Sequence, residues 1–409
     1  MAGGELHAER VSLTDIARRF GTPCYVYSRA ALEANYRAFD AALAGLPHLV
    51  CYAMKANSNL AVLNVFARLG SGFDIVSGGE LARVLAAGGD PSKVVFSGVG
   101  KRDDEMRDAL AAGIRCFNVE SAPELDRLAS VAASMNRKAP VSFRVNPDVD
   151  ARTHPYISTG LKESKFGVDF AAALPLFHRA AAMPSIDVVG IDIHIGSQIT
   201  KLGPYAEATA KVLALVDRLA AGGIRLEHID LGGGLGIRYR DESQVSLFDY
   251  ASMLEELFRG RRESLVFEPG RRLVGDAGVL LTRVSYLKTG GTLQFAIVDA
   301  AMNDLLRPAL YDAWHPVDPV RPREGAPRNW QIVGPVCESA DFLARDRELV
   351  LEAGDLLSIG AAGAYAMAMS SNYNARPRAC EVLVDGDTAH LVRRRERVED
   401  LYAGESMLP

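Results

Sequence analysis

Between His48 and Phe267 the chain repeats one pattern, a short apolar strand followed by an Ala/Leu-rich helix. No other feature of the sequence restricts the fold as much. Strands are expected near Val50 to Met54, Phe73 to Val76, Val94 to Ser97, Cys116 to Val119, Val141 to Val145, Val188 to His194, His228 to Leu231 and Leu265 to Phe267. The helices between them include Gly79 to Ala87, Asp103 to Ala112, Ala122 to Met135, Ala171 to Met183, Pro204 to Ala221 and Leu247 to Arg259. Strict alternation implies a parallel sheet, because parallel neighbours need a crossover between them. Eight units over roughly 220 residues match a closed, TIM-like (β/α)8 barrel. An open doubly wound sheet is the competing layout, but no Gly-x-Gly-x-x-Gly follows the first strand.

After Gly270 the texture changes. Leu273 to Lys288, Thr292 to Asp299, Trp330 to Cys337, Asp355 to Ile359 and Cys380 to Val392 read as strands, and Asp385-Gly386 between apolar runs signals a hairpin. This half is expected to be an antiparallel β-barrel or sandwich. The early strand Thr22 to Tyr27 is a candidate to join it, with the helix Arg29 to Ala44 leading into the barrel. The expected division is therefore a barrel over residues 31–272 and a discontinuous β domain over 1–30 and 273–409. The proline-rich stretch Asp312 to Asn329 reads as a surface loop.

Composition excludes several classes of function. A net charge of −5 gives no electrostatic reason to expect nucleic acid or an anionic membrane as partner. Five scattered cysteines form no CxxC pair, so neither a disulfide framework nor a metal site is expected. The first 19 residues lack a signal-type apolar core, and no uncharged apolar run is long enough to span a bilayer. A cytoplasmic enzyme is the expectation.

In a β/α barrel the site lies at the C-terminal ends of the strands. Here those ends are unusually polar: Lys55, Asp74, Asn118, Arg144, Asn146, His194 and Glu268. A lysine in a strand-to-helix turn is most often a surface residue, but beside apolar neighbours it loses its proton more easily and can condense with an aldehyde. The run Gly232-Gly233-Gly234-Leu235-Gly236 alone reads as a tight turn; its successive N–H groups can also close around a phosphate. No Lys-Ser/Thr follows, so it is not a Walker loop. An amine, a glycine cradle and a carboxylate on separate barrel strands suit pyridoxal 5'-phosphate: Lys55 for the aldehyde, the glycines for the phosphate, Glu268 for the pyridine nitrogen. A lone strand histidine is more often a satisfied core residue, but within a site already implied the flat imidazole of His194 could stack on the cofactor ring, and Ser197 could reach the phosphate.

These residues carry a resemblance. Tyr52-Ala53-Met54-Lys55-Ala56-Asn57, Gly72-Phe73-Asp74-Ile75-Val76-Ser77 with Glu80, Thr159 to Gly167, His194-Ile195-Gly196-Ser197-Gln198, Asp230-Leu231-Gly232-Gly233-Gly234, Glu268-Pro269-Gly270-Arg271, Met302 to Tyr311 and Gly334 to Ser339 occur in order. With them the chain resembles the pyridoxal-phosphate decarboxylases of the alanine-racemase fold, within them the branch that converts meso-2,6-diaminopimelate to L-lysine and carbon dioxide. The resemblance implies that Lys55 carries the cofactor, held also by Asp74, His194, Ser197, Gly233, Gly234, Glu268, Pro269, Gly270, Arg271 and Tyr365. It implies that Cys337 returns the proton, that Arg271, Arg307 and Tyr311 grip the far carboxylate, that Glu338 takes the far ammonium, and that Tyr365 also touches substrate. It implies a head-to-tail homodimer in which the Cys337-Glu338 loop enters the partner's site. Ser158 to Lys165 is a candidate lid.

The chemistry agrees with these roles. The substrate has an amino-acid group at each end, and telling the ends apart needs a matched carboxylate-and-ammonium socket. Alone, Arg307 and Glu338 would read as surface ion pairs and Cys337 as a small buried hydrophobe. A decarboxylase of ornithine, lysine or arginine is the second reading. Ornithine-type relatives place Asp after the active cysteine, where this chain has Glu338. A cofactor-carrying relative without activity is the third, but Lys55 and Cys337 are both present. No motif supplies the second base a racemase needs.

Overall fold

A computed structural model describes residues 4–150 and 165–409. The chain divides into two compact units. One comprises Ala34–Ile237 and Ser243–Leu273; the other comprises Met1–Glu33, Arg238–Glu242 and Val274–Pro409.

The first unit is the closed barrel. Its barrel strands are His48–Ala53, Gly72–Ile75, Val94–Phe96, Cys116–Val119, Ala139–Asn146, Ile186–Asp192, His228–Asp230 and Ser264–Phe267, and the two-residue strand Val168–Asp169 adds to the end of the fifth. Each pairs in parallel with the next, and the first pairs with the last, Val50 standing opposite Phe267. The expected (β/α)8 architecture is the one observed, with strand positions shifted by a few residues at most.

The two-residue period of a strand explains both faces of this sheet. One set of side chains is large and apolar: Tyr52, Phe73, Phe96, Phe117, Phe143 and Phe267 are all buried. Several stack on residues of the surrounding helices, such as Tyr52 on Phe66 at 4.4 Å and Phe143 on Phe177 at 4.7 Å between ring centroids. The alternate set is smaller. Cys51, Val95, Cys116, Val189 and Val266 form one apolar cluster. Two residues further along, Val95, Cys116 and Val266 are followed by Ser97, Asn118 and Glu268, and the neighbouring strands supply Asp74 and Asp230, all buried. The polar ring legible at the strand ends is thus the upper layer of a core whose lower layer is apolar.

Caps place the helices. Asn59 accepts the Ala61 N–H and starts Leu60–Arg68, and Ser77 and Ser121 cap the helices after the second and fourth strands. The strand at Ile186–Asp192 ends before His194, which lies in the following loop rather than within the strand as expected.

The second unit is mostly sheet. The early strand, Cys24–Ser28, does join it: it runs antiparallel to Gly278–Gly290 and parallel to Cys380–Asp385. The remaining pairings are mainly antiparallel, although Leu293–Val298 and Arg328–Val333 run parallel. Asp385-Gly386 turns the hairpin to Thr388–Arg393. Three expectations need correction. Arg271–Val274 forms a helical turn, so the long strand begins at Gly278 and not at Leu273. Phe342–Leu349 is a strand that the sequence reading did not include. The stretch read as a loop from Asp312 contains the strand Val317–Pro319, because Val317 and Val320 are buried. Residues 159–164 of the Thr159 to Gly167 motif, and all but Lys165 of the candidate lid, lie outside the described residues.

Gly190 shows how tightly the barrel interior is filled: a Cβ there would lie 2.3 Å from the ring of buried His228 on the next strand. Gly190→Ala is expected to destabilise the protein by about 1–3 kcal/mol, and His228→Ala in the same chain to recover part of that loss. Denaturant unfolding of the two single variants and the double checks this; additive effects would contradict it.

Candidate active site

The first barrel strand ends at Ala53, and a 3-10 turn over Met54–Ala56 brings Lys55 to the rim. The Tyr52 hydroxyl donates to Asn57 O at 2.9 Å and closes that turn. Lys55 Nζ lies 2.5 Å from Asp74 Oδ2 on the neighbouring strand. Asp74 is fully buried, whereas the lysine side chain keeps 34% exposure. The amine is therefore reachable from solvent while its counter-charge is not.

Glu268 lies just beyond the strand on the other side of the first. Ala53 N–H donates to Pro269 O at 3.1 Å, so the Glu268-Pro269-Gly270 turn is laced to the strand that carries Lys55. A Cβ on Gly270 would stand 3.1 Å from Ala53 O. Lys55 and Glu268 thus occupy one rim. Glu268 Oε1 accepts from Asn118 Nδ2 at 3.3 Å and from Ser97 Oγ at 3.4 Å. Burial raises its carboxyl well above the usual range, helped by Asp230, Asp74 and Asp192, with Lys55 opposing.

The glycine run is pressed against this turn. A Cβ on Gly233 would lie 2.1 Å from Glu268 O, and one on Gly234 would lie 2.3 Å from Gly196 O. Gly232 and Gly234 hold φ of 65° and 99°, conformations that favour glycine. Glu268 N–H donates to Gly232 O, and Gly232 N–H donates to Asp230 Oδ1, both at 2.8 Å. Gly233 N–H donates to His194 Nδ1 at 3.2 Å, so this donor is occupied in fixing the imidazole. Burial, Arg144 and Lys55 hold His194 well below its usual pKa. The ring is neutral, and with Nδ1 accepting, its proton sits on Nε2. Arg271 Nη2 donates to Ser197 Oγ at 3.1 Å.

The remaining residues belong to the β unit. Arg307 and Tyr311 stand four positions apart on the short helix Arg307–Tyr311. Arg307 is buried, its guanidinium 4.6 Å from the Tyr239 ring centroid and its Nη1 2.9 Å from His315 Nε2. His315 Nδ1 lies 2.9 Å from Gly360 O, so Nδ1 donates there and Nε2 accepts from the arginine. Cys337 and Glu338 are exposed in a turn after Arg328–Val333. Asn374 Oδ1 accepts the Cys337 N–H at 3.0 Å, the Tyr373 hydroxyl donates to Glu338 Oε2 at 3.4 Å, and Asp341 accepts the Val336 N–H at 2.8 Å. Tyr365 has φ of 54°.

The structure therefore gathers Lys55, Asp74, His194, Ser197, Gly233, Gly234, Glu268, Pro269, Gly270 and Arg271 on the barrel. Arg307, Tyr311, Cys337, Glu338 and Tyr365 are set in the β unit. Sequence reasoning gave no role to Asp192, Asp230 and Ser97, nor to Tyr239, His315, Asp341 and Asn374. For the two aspartates a signal existed: Ile191-Asp192-Ile193 and Ile229-Asp230-Leu231 each put one acid inside an aliphatic strand. The donor set fits an aldehyde cofactor with a phosphate and a basic ring nitrogen. It offers a reachable amine, a dry carboxyl group, and backbone where no side chain fits.

Residues 29–275 match the family described as pyridoxal-dependent decarboxylase, pyridoxal binding domain. The chain belongs to the pyridoxal-dependent decarboxylases. Among relatives of this decarboxylase, the diaminopimelate decarboxylase of Pseudomonas aeruginosa is 64% identical over 99% of this chain and 98% of its own length. A crystal structure of diaminopimelate decarboxylase from Helicobacter pylori complexed with L-lysine superposes with a TM-score of 0.93. It is 42% identical, covering 95% of this chain and 98% of that one. The M. jannaschii enzyme in complex with L-lysine gives a TM-score of 0.95 at 38% identity, over 100% of this chain and 97% of that one. Pyridoxal 5'-phosphate is the decarboxylase's cofactor.

Gly233→Ala is expected to weaken binding of pyridoxal phosphate by about tenfold or more, since the new methyl group collides with backbone and not with a movable side chain. Absorbance titration of the cofactor-free decarboxylase measures this, and an unchanged dissociation constant would contradict the role given to the loop.

Proposed function

We propose that the chain decarboxylates meso-2,6-diaminopimelate to L-lysine and carbon dioxide in the cytoplasm. The reading is carried by the common rim of Lys55 and Glu268, in a chain matched along nearly its whole length by relatives named for this reaction.

Lys55 would fasten the cofactor's aldehyde and later reclaim it to release product. Gly234, Ser197 and the loop behind them would hold the phosphate, with Arg271 orienting Ser197. The neutral, Nε2-protonated ring of His194 would lie against the cofactor ring, and Glu268 would hold a proton at the ring nitrogen. When bound, pyridoxal phosphate supplies a protonated ring that draws away the electron pair left as carbon dioxide departs. Cys337 would deliver a proton to that carbon. Arg307 and Tyr311 would bind the far carboxylate and Glu338 the far ammonium. The preset hydrogen bond from Arg307 to His315 limits the rotamers the arginine must give up.

A homodimer belongs to the same reading. Cys337 and Glu338 are exposed on their own chain, in a turn fixed from behind by Asn374, Tyr373 and Asp341, which suits side chains that serve a second copy.

Lys55→Ala is expected to abolish turnover and the visible absorbance of the bound cofactor. Arg307→Ala should raise KM for diaminopimelate on the order of tenfold or more, and Cys337→Ala should lower kcat with little change in KM. Carbon dioxide release from diaminopimelate, lysine, ornithine and arginine, measured side by side, identifies the substrate; preference for one of the last three would overturn the assignment. Mixing the Lys55→Ala and Cys337→Ala proteins should raise activity above the sum of the two measured separately. Failure to do so would refute sharing of sites between copies.

A further inference from the structure

Glu268 does not stand alone at the barrel's axis. Carboxylate oxygens of Asp192, Asp230 and Glu268 all lie within 4.8 Å of one another, and the three side chains are at most 4% exposed. Asp230 divides its two oxygens. Oδ1 accepts the Gly232 N–H at 2.8 Å, and Oδ2 is buried with no donor among the described residues. Where carboxyl groups crowd together in a dry interior, a proton on one of them lets it donate to the other and satisfies both. Asp192, opposite Asp230 on the neighbouring strand, has Arg144 Nε 3.9 Å from its Oδ2 while its Oδ1 is buried with no donor, whereas no ion pair among the described residues reaches Asp230 at all.

We propose that Asp230 is a positioning residue that holds one proton jointly with Glu268, so that the pair carries a single negative charge and Asp230 pins that charge to the glycine loop.

The surroundings agree. The five carboxyl groups acting on one another here are Asp74, Glu120, Asp192, Asp230 and Glu268, and the cations among them are Lys55, Arg115 and Arg144. Five acids against three bases leave an excess that burial does not tolerate. The neighbouring Cys51, Cys116 and Tyr250 have their pKa values raised by burial and His228 is pushed down to about 3, so none of them adds a charge. Burial raises Asp230 to about 7 and Glu268 well above its usual range; the proton belongs to the pair. Only the consequence for the cofactor rests on the role proposed above for Glu268: a pair with one charge presents an anion to the ring nitrogen without a second one behind it.

The sign of the pH effect follows. A carboxyl whose folded pKa exceeds its unfolded value near 4 costs stability as pH rises from about 4 to about 7. The cofactor-free full chain should therefore lose Tm across that window. Asp230→Asn keeps an acceptor for Gly232 N–H and offers Glu268 a permanent donor. It should flatten the fall in Tm and keep the dissociation constant for pyridoxal phosphate within about threefold, while Asp230→Ala weakens it by about tenfold. The proposal is overturned if the Asn variant keeps the native pH dependence, if it loses the cofactor as badly as the Ala variant, or if Asp192→Asn abolishes the pH response instead. The Tm profile uses no cofactor, so it tests the shared proton even if pyridoxal phosphate is held in another way. Should Asp230→Asn fail to fold, infrared spectroscopy of the native chain decides. A carboxylic-acid carbonyl band must persist at pH 7, above the range of Glu80 and Asp304, which are pushed only to about 6, and must survive in Asp192→Asn, because burial raises Asp192 well above its usual range too. Its absence would refute the idea.

Discussion

A carboxylate removed from water must be matched by a fixed cation, by donors or by a proton, and the barrel unit is arranged around meeting that requirement for Glu268 and its neighbours. Asp74 is matched by Lys55 and Asp192 by Arg144, while Glu268 takes neutral donors from Asn118 and Ser97. The contrast has chemical content. A guanidinium on Glu268 would favour a permanent anion but would occupy the group. Amide and hydroxyl donors orient the carboxyl and leave its charge without a fixed counter-ion.

The same economy governs the loops. The turn after the eighth strand and the turn after the seventh touch through backbone alone, because Gly233 leaves no room for a side chain against Glu268 O. Glu268 N–H to Gly232 O and Gly232 N–H to Asp230 make one continuous strap. His194 joins it through Gly233 N–H. Displacing any one of these segments moves the carboxyl, the imidazole and the glycine loop together, so the precision of the rim is shared by three strand ends and does not depend on one side chain's rotamer.

How far the sequence revealed this depends on which physical signal each residue leaves. The eight strands were legible because their outward set is large and apolar at every turn of the repeat. Lys55, His194 and Glu268 were legible because they interrupt apolar runs at strand ends. Asp192 and Asp230 interrupt such runs too, but a strand acid reads as a solvent-facing residue until closure shows that its alternate face is the barrel's interior. In the β unit the signals are weaker. Phe342–Leu349 contains Arg345, Asp346 and Arg347, and only Leu343 and Ala344 are buried, so no apolar run announces it. Residues such as His315 and Asn374 act by holding another side chain or a backbone N–H, and that role has no spacing rule to betray it.

Strain separates the two ways in which the β unit presents its side chains. Cys337 and Glu338 are held by hydrogen bonds: Asn374 Oδ1 accepts the Cys337 N–H, the Tyr373 hydroxyl donates to Glu338, and Asp341 accepts the N–H of the preceding Val336. Tyr365 is held by conformation. Its left-handed φ, like that of Ala361, costs about 1–2 kcal/mol for a residue with a Cβ, and Gly363 between them would put a Cβ 1.8 Å from Val274 O. Such a segment persists only where its flanks are over-determined. Its N-terminal flank is: Ile359 pairs with both Leu280 and Val317, and Ala362 N–H donates to Gly278 O at 2.9 Å. A turn stabilised by hydrogen bonds can yield when a ligand offers better ones, whereas a strained one clamped at its base returns to a single geometry. Tyr365 is thus set in one orientation by its backbone, while the turn that carries Cys337 and Glu338 rests on exchangeable hydrogen bonds.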